Sequence, residues 1–186
     1  ALERIRKESA RLSTLVGALI EMTRVEGDPA TRTFRPLDLR ALVASVADDC
    51  RVEGEAKFCE IRTRLEECGR FDGDEEMLRR AVENVVRNAV NHSPQFGVVE
   101  VALERSNGSV RIAVKDQGSG VPGEQIEKIF HPFYRVGDDR SRANGGVGLG
   151  LAIAQRAVLL HHGRIGARNV APGLEVEILL PVTKVN

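Results

Sequence analysis

Hydrophobic residues near the amino terminus recur at alternating spacings of three and four, and charged residues fill the opposite side. The apolar positions are Leu2, Ile5, Leu12, Leu15, Leu19 and Met22. This spacing predicts one long helix over residues 2–25 with a narrow apolar stripe, which suits packing against other helices in a dimeric bundle. Packing on its own domain stays open as an alternative. Gly27 and Pro29 end the helix, since glycine caps it and proline cannot continue it.

After this helix the pattern is mixed, so we expect two domains, 1–27 and 28–186. Strands are predicted at 33–36, 59–65, 98–104, 109–116, 163–169 and 173–180. Helices are predicted at 38–54, 74–92, 123–129 and 148–161. Asp38 and Asp74 stand where helix N-caps are expected, and Ser106, Asn107 and Gly108 predict a hairpin turn. Residues 133–146 show no periodicity and predict a mobile loop.

The charge balance narrows the range of partners. The 186 residues contain 27 basic and 27 acidic side chains, so the chain has no net basic field to bind nucleic acid through released counterions. Its hydrophobic content of 42% is that of a globular protein. A protein partner or a small ligand is therefore the better expectation.

The three cysteines predict free thiols. Cys50, Cys59 and Cys68 form no Cys-x-x-Cys pair and have no histidines at zinc spacing, which favours a reducing cytosol. No run approaches the roughly 20 apolar residues of a membrane span, and there is no signal peptide. Because the chain begins at Ala1, we interpret it as a fragment of a longer protein, in which a membrane anchor stays possible.

Three asparagines lie on one face of the predicted helix 74–92. Asn84, Asn88 and Asn91 are spaced i, i+4 and i+7. Asparagine is a poor helix former, so three in two turns indicate a function, although a solvated face with stray amides is the alternative. Neutral amide oxygens suit magnesium when phosphates supply the negative charge.

Two further motifs complete a nucleotide pocket. Asp116 ends an apolar strand, where a carboxylate can accept the exocyclic amine of adenine, and Gly118 and Gly120 let the backbone approach a flat base. By itself this motif is equally consistent with an ordinary turn. The segment 145–151 holds four glycines ahead of a helix, whose free amides can bind phosphate. It matches neither a P-loop nor a dinucleotide fingerprint. Together the motifs predict binding of ATP and Mg²⁺.

In this order, and with the run Phe130–Arg135 between the second and third, these motifs resemble those of the sensor histidine kinases of two-component systems. Residues 84–88 are similar to that family's N box, 116–120 to its first glycine box, 130–135 to its F box and 145–151 to its second glycine box. The resemblance covers about residues 30–183. The helix 2–25 resembles the second helix of the family's dimerisation and phosphoacceptor hairpin.

The resemblance implies a fold and an environment. The fold is an α/β (α+β) two-layer sandwich of the Bergerat type, in which helices cover one face of a mixed, mostly antiparallel sheet. A long bundle helix precedes it. The chain would be the cytoplasmic portion of an inner-membrane sensor that forms a homodimer through the helix bundle.

The resemblance also implies a role for each matching residue. Asn88 would be the principal magnesium ligand, with Asn84 in support. Asp116 would bind adenine, while Phe130 and Phe133 anchor the loop over the nucleotide and Arg135 steadies a phosphate. The remaining residues expected around the nucleotide are Asn91, His92, Gly118, Gly120, Val121, Gly145, Gly146, Val147, Gly148, Leu149, Gly150 and Leu151.

The sequence departs from the family pattern in three respects. The family often has Lys or Arg at Asn91 and Thr or Ser at Val147. The phosphorylated histidine is also missing, since none of the chain's four histidines has the acceptor's acidic neighbours. We therefore assign a catalytic role to no residue of this chain. We expect the ATP γ-phosphoryl group to be transferred to a histidine on a bundle helix that is absent from the chain. A response-regulator aspartate would be the next acceptor.

Two other functions compete with this one. An ATPase of the gyrase, chaperone and mismatch-repair group would carry a glutamate base where Asn84 stands. The adjacent Glu83 points about 100° away on the helix. A non-catalytic nucleotide-sensing or dimerising module is the other alternative, which Asn91 and Val147 keep open.

Overall fold

The computed structural model describes residues 34–106, 108–136 and 147–182, with the side chain of Ser106 excepted. The predicted helix over 2–25 and the predicted boundary between residues 27 and 28 lie outside these ranges. Most of the predicted loop 133–146 does so as well.

Five strands form the main sheet. In chain order they are β2 (Glu60–Leu65), β4 (Val98–Ser106), β5 (Ser109–Lys115), β6 (Arg164–Asn169) and β7 (Leu174–Pro181). They lie side by side in the order β2-β4-β5-β7-β6. Only the β2–β4 pair is parallel, and the other three pairs are antiparallel. The sheet is therefore mixed and mostly antiparallel, as predicted.

A two-stranded sheet and three helices complete the described fold. Strand β1 (Arg35–Asp38) pairs antiparallel with β3 (Arg70–Gly73). The helices are α1 (Leu39–Ala56), α2 (Glu75–His92) and α3 (Gly150–Leu160), and α2 packs against both of the others. Asp38 and Asp74 cap α1 and α2 by accepting the backbone N–H of Ala41 at 3.1 Å and of Met77 at 3.0 Å. Both predicted N-caps are confirmed.

All three helices cover one face of the main sheet. Alternate strand residues point toward them and are buried, each contributing about 1.5–3 kcal/mol when removed from water. These residues include Val99, Val101, Leu103, Val110, Ile112, Val114, Val176, Ile178 and Leu180. The opposite face is charged: the Arg111 guanidinium is paired with the carboxylates of Glu104, Glu175 and Glu177. The predicted two-layer sandwich is confirmed.

Three details differ from the sequence prediction. Strand β3 was not predicted, because a four-residue segment with one buried apolar side chain, Phe71, shows too little alternation. The predicted helix 123–129 is instead two short 3₁₀ turns, Gly123–Gln125 and Lys128–Phe130. Helix α3 begins at Gly150 rather than residue 148, since Gly148 has a φ of +78°, outside the helical region.

The three cysteines are free thiols, as predicted, and all are buried. Burial raises the pKa of Cys50 to about 11 and also raises the pKa of Cys68. Both thiols stay protonated at neutral pH and are poor nucleophiles, so they serve as small core residues.

A buried histidine joins the start of α2 to the end of α3. The backbone N–H of Asp74 donates to His161 Nε2 at 2.9 Å, and Nδ1 lies 2.7 Å from the Ala157 carbonyl oxygen. Because Nε2 accepts, Nδ1 carries the proton and donates to that carbonyl. The ring also stacks on Phe34, with centroids 4.8 Å apart.

Replacing this histidine should lower stability. His161→Leu keeps the apolar contact but leaves the Asp74 N–H without its acceptor, so we expect a loss of about 1–3 kcal/mol in the free energy of unfolding, measured by urea denaturation. The matched control is His162→Asn. That neighbour is exposed and has a φ of +57°, which asparagine tolerates, so its stability should change by less than about 0.5 kcal/mol. Equal stability of the two variants would contradict the assigned role.

Candidate functional site

The asparagine face of α2 begins against the start of α3. Asn84 is partly buried, and its Nδ2 donates to the Arg80 carbonyl at 2.9 Å. Its Oδ1 faces Gly150, where an added Cβ would lie only 2.9 Å from that oxygen. A side chain at position 150 would therefore displace the Asn84 amide from its observed position.

One turn further along α2, Asn88 has an open amide. The side chain is partly exposed, and within the part of the chain that the structure describes it makes no hydrogen bond. Asn91 and His92 lie exposed at the end of the helix. Lys57 holds this end, since its Nζ donates to the carbonyls of Val90 at 3.1 Å and Asn91 at 2.8 Å. A positive charge at the helix carboxyl end thus fixes the asparagine face.

Asp116 follows β5 as a buried carboxylate, only 3% exposed. Its Oδ1 accepts the backbone N–H of Gly118 at 2.8 Å and of Leu174 at 3.2 Å. Burial raises the pKa of Asp116, and these two N–H groups, together with the nearby His92, partly oppose the increase. Among residues 34–106, 108–136 and 147–182, no donor binds Oδ2. The hydrogen bonds to Oδ1 therefore orient the carboxylate, and Oδ2 is left available to a ligand.

The backbone that follows Asp116 packs closely on the end of α2. A Cβ at Gly118 would lie 2.6 Å from the His92 carbonyl oxygen and 3.0 Å from Asp116 Oδ1, so a side chain here would need to displace backbone. The loop thus packs directly on the end of α2. Val121, at the far end of the loop, is partly buried, and both its N–H and its carbonyl are bonded to the Asn169 side chain.

A backbone hydrogen bond joins residues on either side of the segment 137–146. The Phe133 N–H donates to the Gly148 carbonyl at 2.8 Å, and a Cβ at Gly148 would lie 2.8 Å from the Tyr134 carbonyl. Phe130 is buried, whereas the Phe133 ring is 56% exposed. Phe130 thus anchors this region through its side chain, and Phe133 does so through its backbone. Arg135 is exposed beside the same segment; Gly145 and Gly146 lie outside the described residues.

Helix α3 begins without a side-chain cap. Leu149 occupies the N-cap position, and no acidic residue stands in the first turn. Leu149 and Leu151 are buried, and Val147 is partly buried, so apolar packing places this helix end. The uncapped N–H groups carry the positive end of the helix dipole, which favours an anion. Since Gly150 touches Asn84, this anion site adjoins the asparagine face.

The site also contains residues that the sequence did not reveal. Leu174 and Asn169 contact the loop after Asp116, and Lys57 holds the end of α2. Each lies far along the chain from its contact. The predicted strands 163–169 and 173–180 contain Asn169 and Leu174, but they did not indicate a contact with this loop.

The donor set fits a magnesium nucleotide. An open carboxylate oxygen, an open amide and an uncapped helix end match an amine, a hard cation and phosphates respectively. Within the described ranges, no group of three or more His, Cys, Asp or Glu side chains is placed to hold a metal ion. No helix in those ranges is long and apolar enough to cross a membrane.

Comparison with known proteins agrees with this geometry. Residues 73–184 match the family described as histidine kinase-, DNA gyrase B-, and HSP90-like ATPase. The sensor-like histidine kinase SenX3 of Mycolicibacterium smegmatis is 34% identical over 88% of this chain and 42% of its own length. The chain spans about two fifths of the length of these curated relatives.

Solved structures are similar as well. The mycobacterial sensor histidine kinase MprB superposes with a TM-score of 0.72 and 29% identity, over 80% of this chain and 98% of that one. Full-length ShkA, in complex with AMPPNP, superposes with a TM-score of 0.82 and 27% identity, over 97% of this chain and 38% of that one. The chain therefore belongs to the histidine kinase-, DNA gyrase B- and HSP90-like ATPase family and carries a catalytic ATP-binding domain of the sensor histidine kinase type.

Proposed function

We propose that this chain binds Mg²⁺–ATP and transfers the γ-phosphoryl group to a histidine on a bundle helix that the chain does not contain. The phosphoryl group would then pass to an aspartate of a response-regulator receiver domain. One observation carries the proposal: Asn84 Oδ1 lies against Gly150 at the uncapped start of α3. This contact brings the amide face and the anion-binding helix end to one place.

The adenine end of the site would be read by Asp116. Its Oδ2 would accept the exocyclic amine of the base, while Oδ1 stays bonded to the backbone N–H groups of Gly118 and Leu174. The backbone at Gly118 and Gly120 would lie along the flat base. His92, exposed at the end of α2, would border the base or ribose.

The phosphate end would be held by amides. Asn88 would be the principal magnesium ligand and Asn84 would support the metal or its waters, since Mg²⁺ takes few protein ligands and keeps phosphate oxygens and water. An ion held by these amides would supply positive charge that neutralises the negative charge developing during transfer. The first N–H groups of α3 would hold phosphate oxygens, with Gly145, Gly146 and Arg135 contributing from the loop.

Phosphoryl transfer needs positioning and charge stabilisation more than covalent chemistry. A water-consuming ATPase would also need a base beside the metal. Glu83, the only acid next to Asn84 in sequence, is paired instead with Arg87 at 3.0 Å, and Arg87 also pairs with Glu53 of α1 at 2.9 Å. The ATPase is therefore disfavoured. The open Asp116 and Asn88 groups likewise disfavour a module that only dimerises.

The partners follow from this activity. The full-length protein would dimerise through its helix bundle, so that an acceptor histidine reaches the γ-phosphate. We propose that the segment 1–27 is the second helix of that bundle, with the catalytic domain beginning near residue 28.

Substitution of Asp116 should separate stability from binding. Asp116→Ala removes the acceptor and should weaken ATP binding by about 1.5–3 kcal/mol, roughly 10- to 150-fold, in titration calorimetry. Asp116→Asn keeps an oxygen to accept the N–H groups of Gly118 and Leu174, but it turns its amide NH₂ toward the adenine amine, so that two donors face each other. It should therefore also bind ATP weakly. Unchanged affinity in both variants would remove Asp116 from the adenine site.

Asp116→Asn should at the same time stabilise the fold. Burial raises the folded-state pKa above the ordinary value of 3.8, so the ionised carboxylate costs stability at pH 7. That cost disappears as the pH falls below the ordinary value, where both states are protonated. Urea unfolding should show the variant more stable than the parent at pH 7, with the difference closing in acid. A less stable variant at pH 7 would contradict this.

Asn88 should control the metal dependence. Asn88→Ala should lose most of the gain in ATP affinity that Mg²⁺ confers, which we expect to be about tenfold, measured by titrations with Mg²⁺ and with EDTA. The control is Arg87→Ala, because Arg87 is the adjacent residue and its guanidinium pairs with Glu53 of α1. It should keep the full metal dependence. Equal dependence in Asn88→Ala and the parent would exclude Asn88 as the ligand.

The transfer step has a direct assay. Incubation with γ-labelled ATP should leave this 186-residue chain unlabelled and label an added acceptor hairpin from its parent protein. Steady release of phosphate without the hairpin would favour the ATPase instead.

A further inference from the structure

We propose that Asn169 is a positioning residue that sets the preference of this site for adenine. It lies at the end of β6, outside all of the sequence motifs that predict the nucleotide site. The proposal rests on the proposed function, because it concerns the loop after Asp116 that would read the base.

Asn169 binds the far end of this loop through both atoms of its amide. Its Oδ1 accepts the Val121 N–H at 2.9 Å, and its Nδ2 donates to the Val121 carbonyl at 2.6 Å. One side chain thus satisfies the whole backbone of one loop residue, as a neighbouring strand would. Neither contact can be kept by a shorter or an apolar side chain.

The near end of the loop is held from the same rung of the β6–β7 ladder. Asn169 and Leu174 are Cα partners in that ladder. The Leu174 N–H donates to Asp116 Oδ1 at 3.2 Å, and its carbonyl accepts the Asp116 N–H at 2.9 Å. The loop 116–121 is therefore fixed at its first residue by Leu174 and at its last residue by Asn169.

Two glycines allow this close approach. Gly120 has a φ of +71°, and a Cβ there would lie 2.6 Å from Asn169 Oδ1. Gly173 has a φ of +99°, and a Cβ there would overlap the Asp116 carbonyl oxygen. The loop 116–121 thus packs closely against the connection between β6 and β7. A shift of the backbone in either segment would therefore move the atoms beside the base.

Asn169 also offers a clean test because its side chain is exposed. Losing an exposed hydrogen-bonded side chain changes fold stability little. A loop displaced by even 1 Å, in contrast, misplaces the backbone and the Asp116 carboxylate relative to the base. Within the described ranges both side-chain hydrogen bonds of Asn169 go to Val121, so we expect the phosphate end of the site, on α2 and α3, to be unaffected.

The experiment compares Asn169→Ala with Arg168→Ala in the full 186-residue chain. The control is matched, since Arg168 is the adjacent residue of β6 and also makes two hydrogen bonds, both to Glu175 Oε1, at 3.0 and 2.7 Å. Calorimetry with Mg²⁺ measures the affinity for ATP, for GTP and for inorganic tripolyphosphate. Thermal unfolding reports the stability of each variant.

We expect Asn169→Ala to lower the ATP affinity about tenfold and to leave GTP and tripolyphosphate binding unchanged. The ATP-over-GTP preference should fall by the same factor, while the unfolding midpoint moves by less than about 3 °C. Arg168→Ala should match the parent throughout. A second variant, Asn169→Asp, turns the donor to the Val121 carbonyl into an acceptor and should lose at least as much preference.

Two results would overturn the assignment. An unchanged ATP-over-GTP preference in Asn169→Ala would show that Asn169 does not position the base-reading loop. An equal loss for ATP, GTP and tripolyphosphate would indicate general loosening of the domain. Failure of the proposed function is distinct from both, because the parent chain itself would then bind neither ATP nor tripolyphosphate.

Discussion

The interaction on which the site depends is the burial of one carboxylate with only half of its hydrogen-bonding capacity used. Asp116 sits at the end of β5, where the backbone N–H groups of Gly118 and Leu174 share Oδ1. This arrangement orients Oδ2 while leaving it without a donor among the described residues. Burial makes the ionised form costly, so a ligand amine that binds Oδ2 recovers part of that free energy. The carboxylate is thus poorly satisfied by the protein alone and well prepared for a base.

The phosphate end of the site follows a different principle, since it carries no buried charge. The Asn84 amide oxygen on α2 faces the uncapped amino terminus of α3, where Gly150 has no side chain to displace it. Neutral ligands and partial charges leave the negative charge to the nucleotide itself. The adenine end of the site therefore depends on a single carboxylate, and the phosphate end depends on how closely α2 and α3 pack.

Much of the fold is not bonded to these groups. Among the described residues, helix α1, the buried thiols and the charged outer face of the sheet make no hydrogen bond to Asp116. The left-handed backbone conformations beside the site are found in the loops, where Gly120, Gly148 and Gly173 have positive φ. Backbone that must pass close to a ligand or another strand needs these conformations, and the core beneath it supplies the rigidity.

The sequence by itself predicted helices α1 and α2 with their caps, the β4–β5 hairpin and the groups that we propose bind the nucleotide. Those features depend on local periodicity and on residue chemistry, as with Asp74 capping α2 or Asn88 following Asn84 by one turn. Only the tertiary structure decided that β3 pairs with β1, that Gly150 meets Asn84, and that Leu174 and Asn169 hold the two ends of one loop. The reason is physical: these contacts join residues tens of positions apart, and at least one side of each is a backbone group that every residue possesses, so no residue type or spacing marks them in advance.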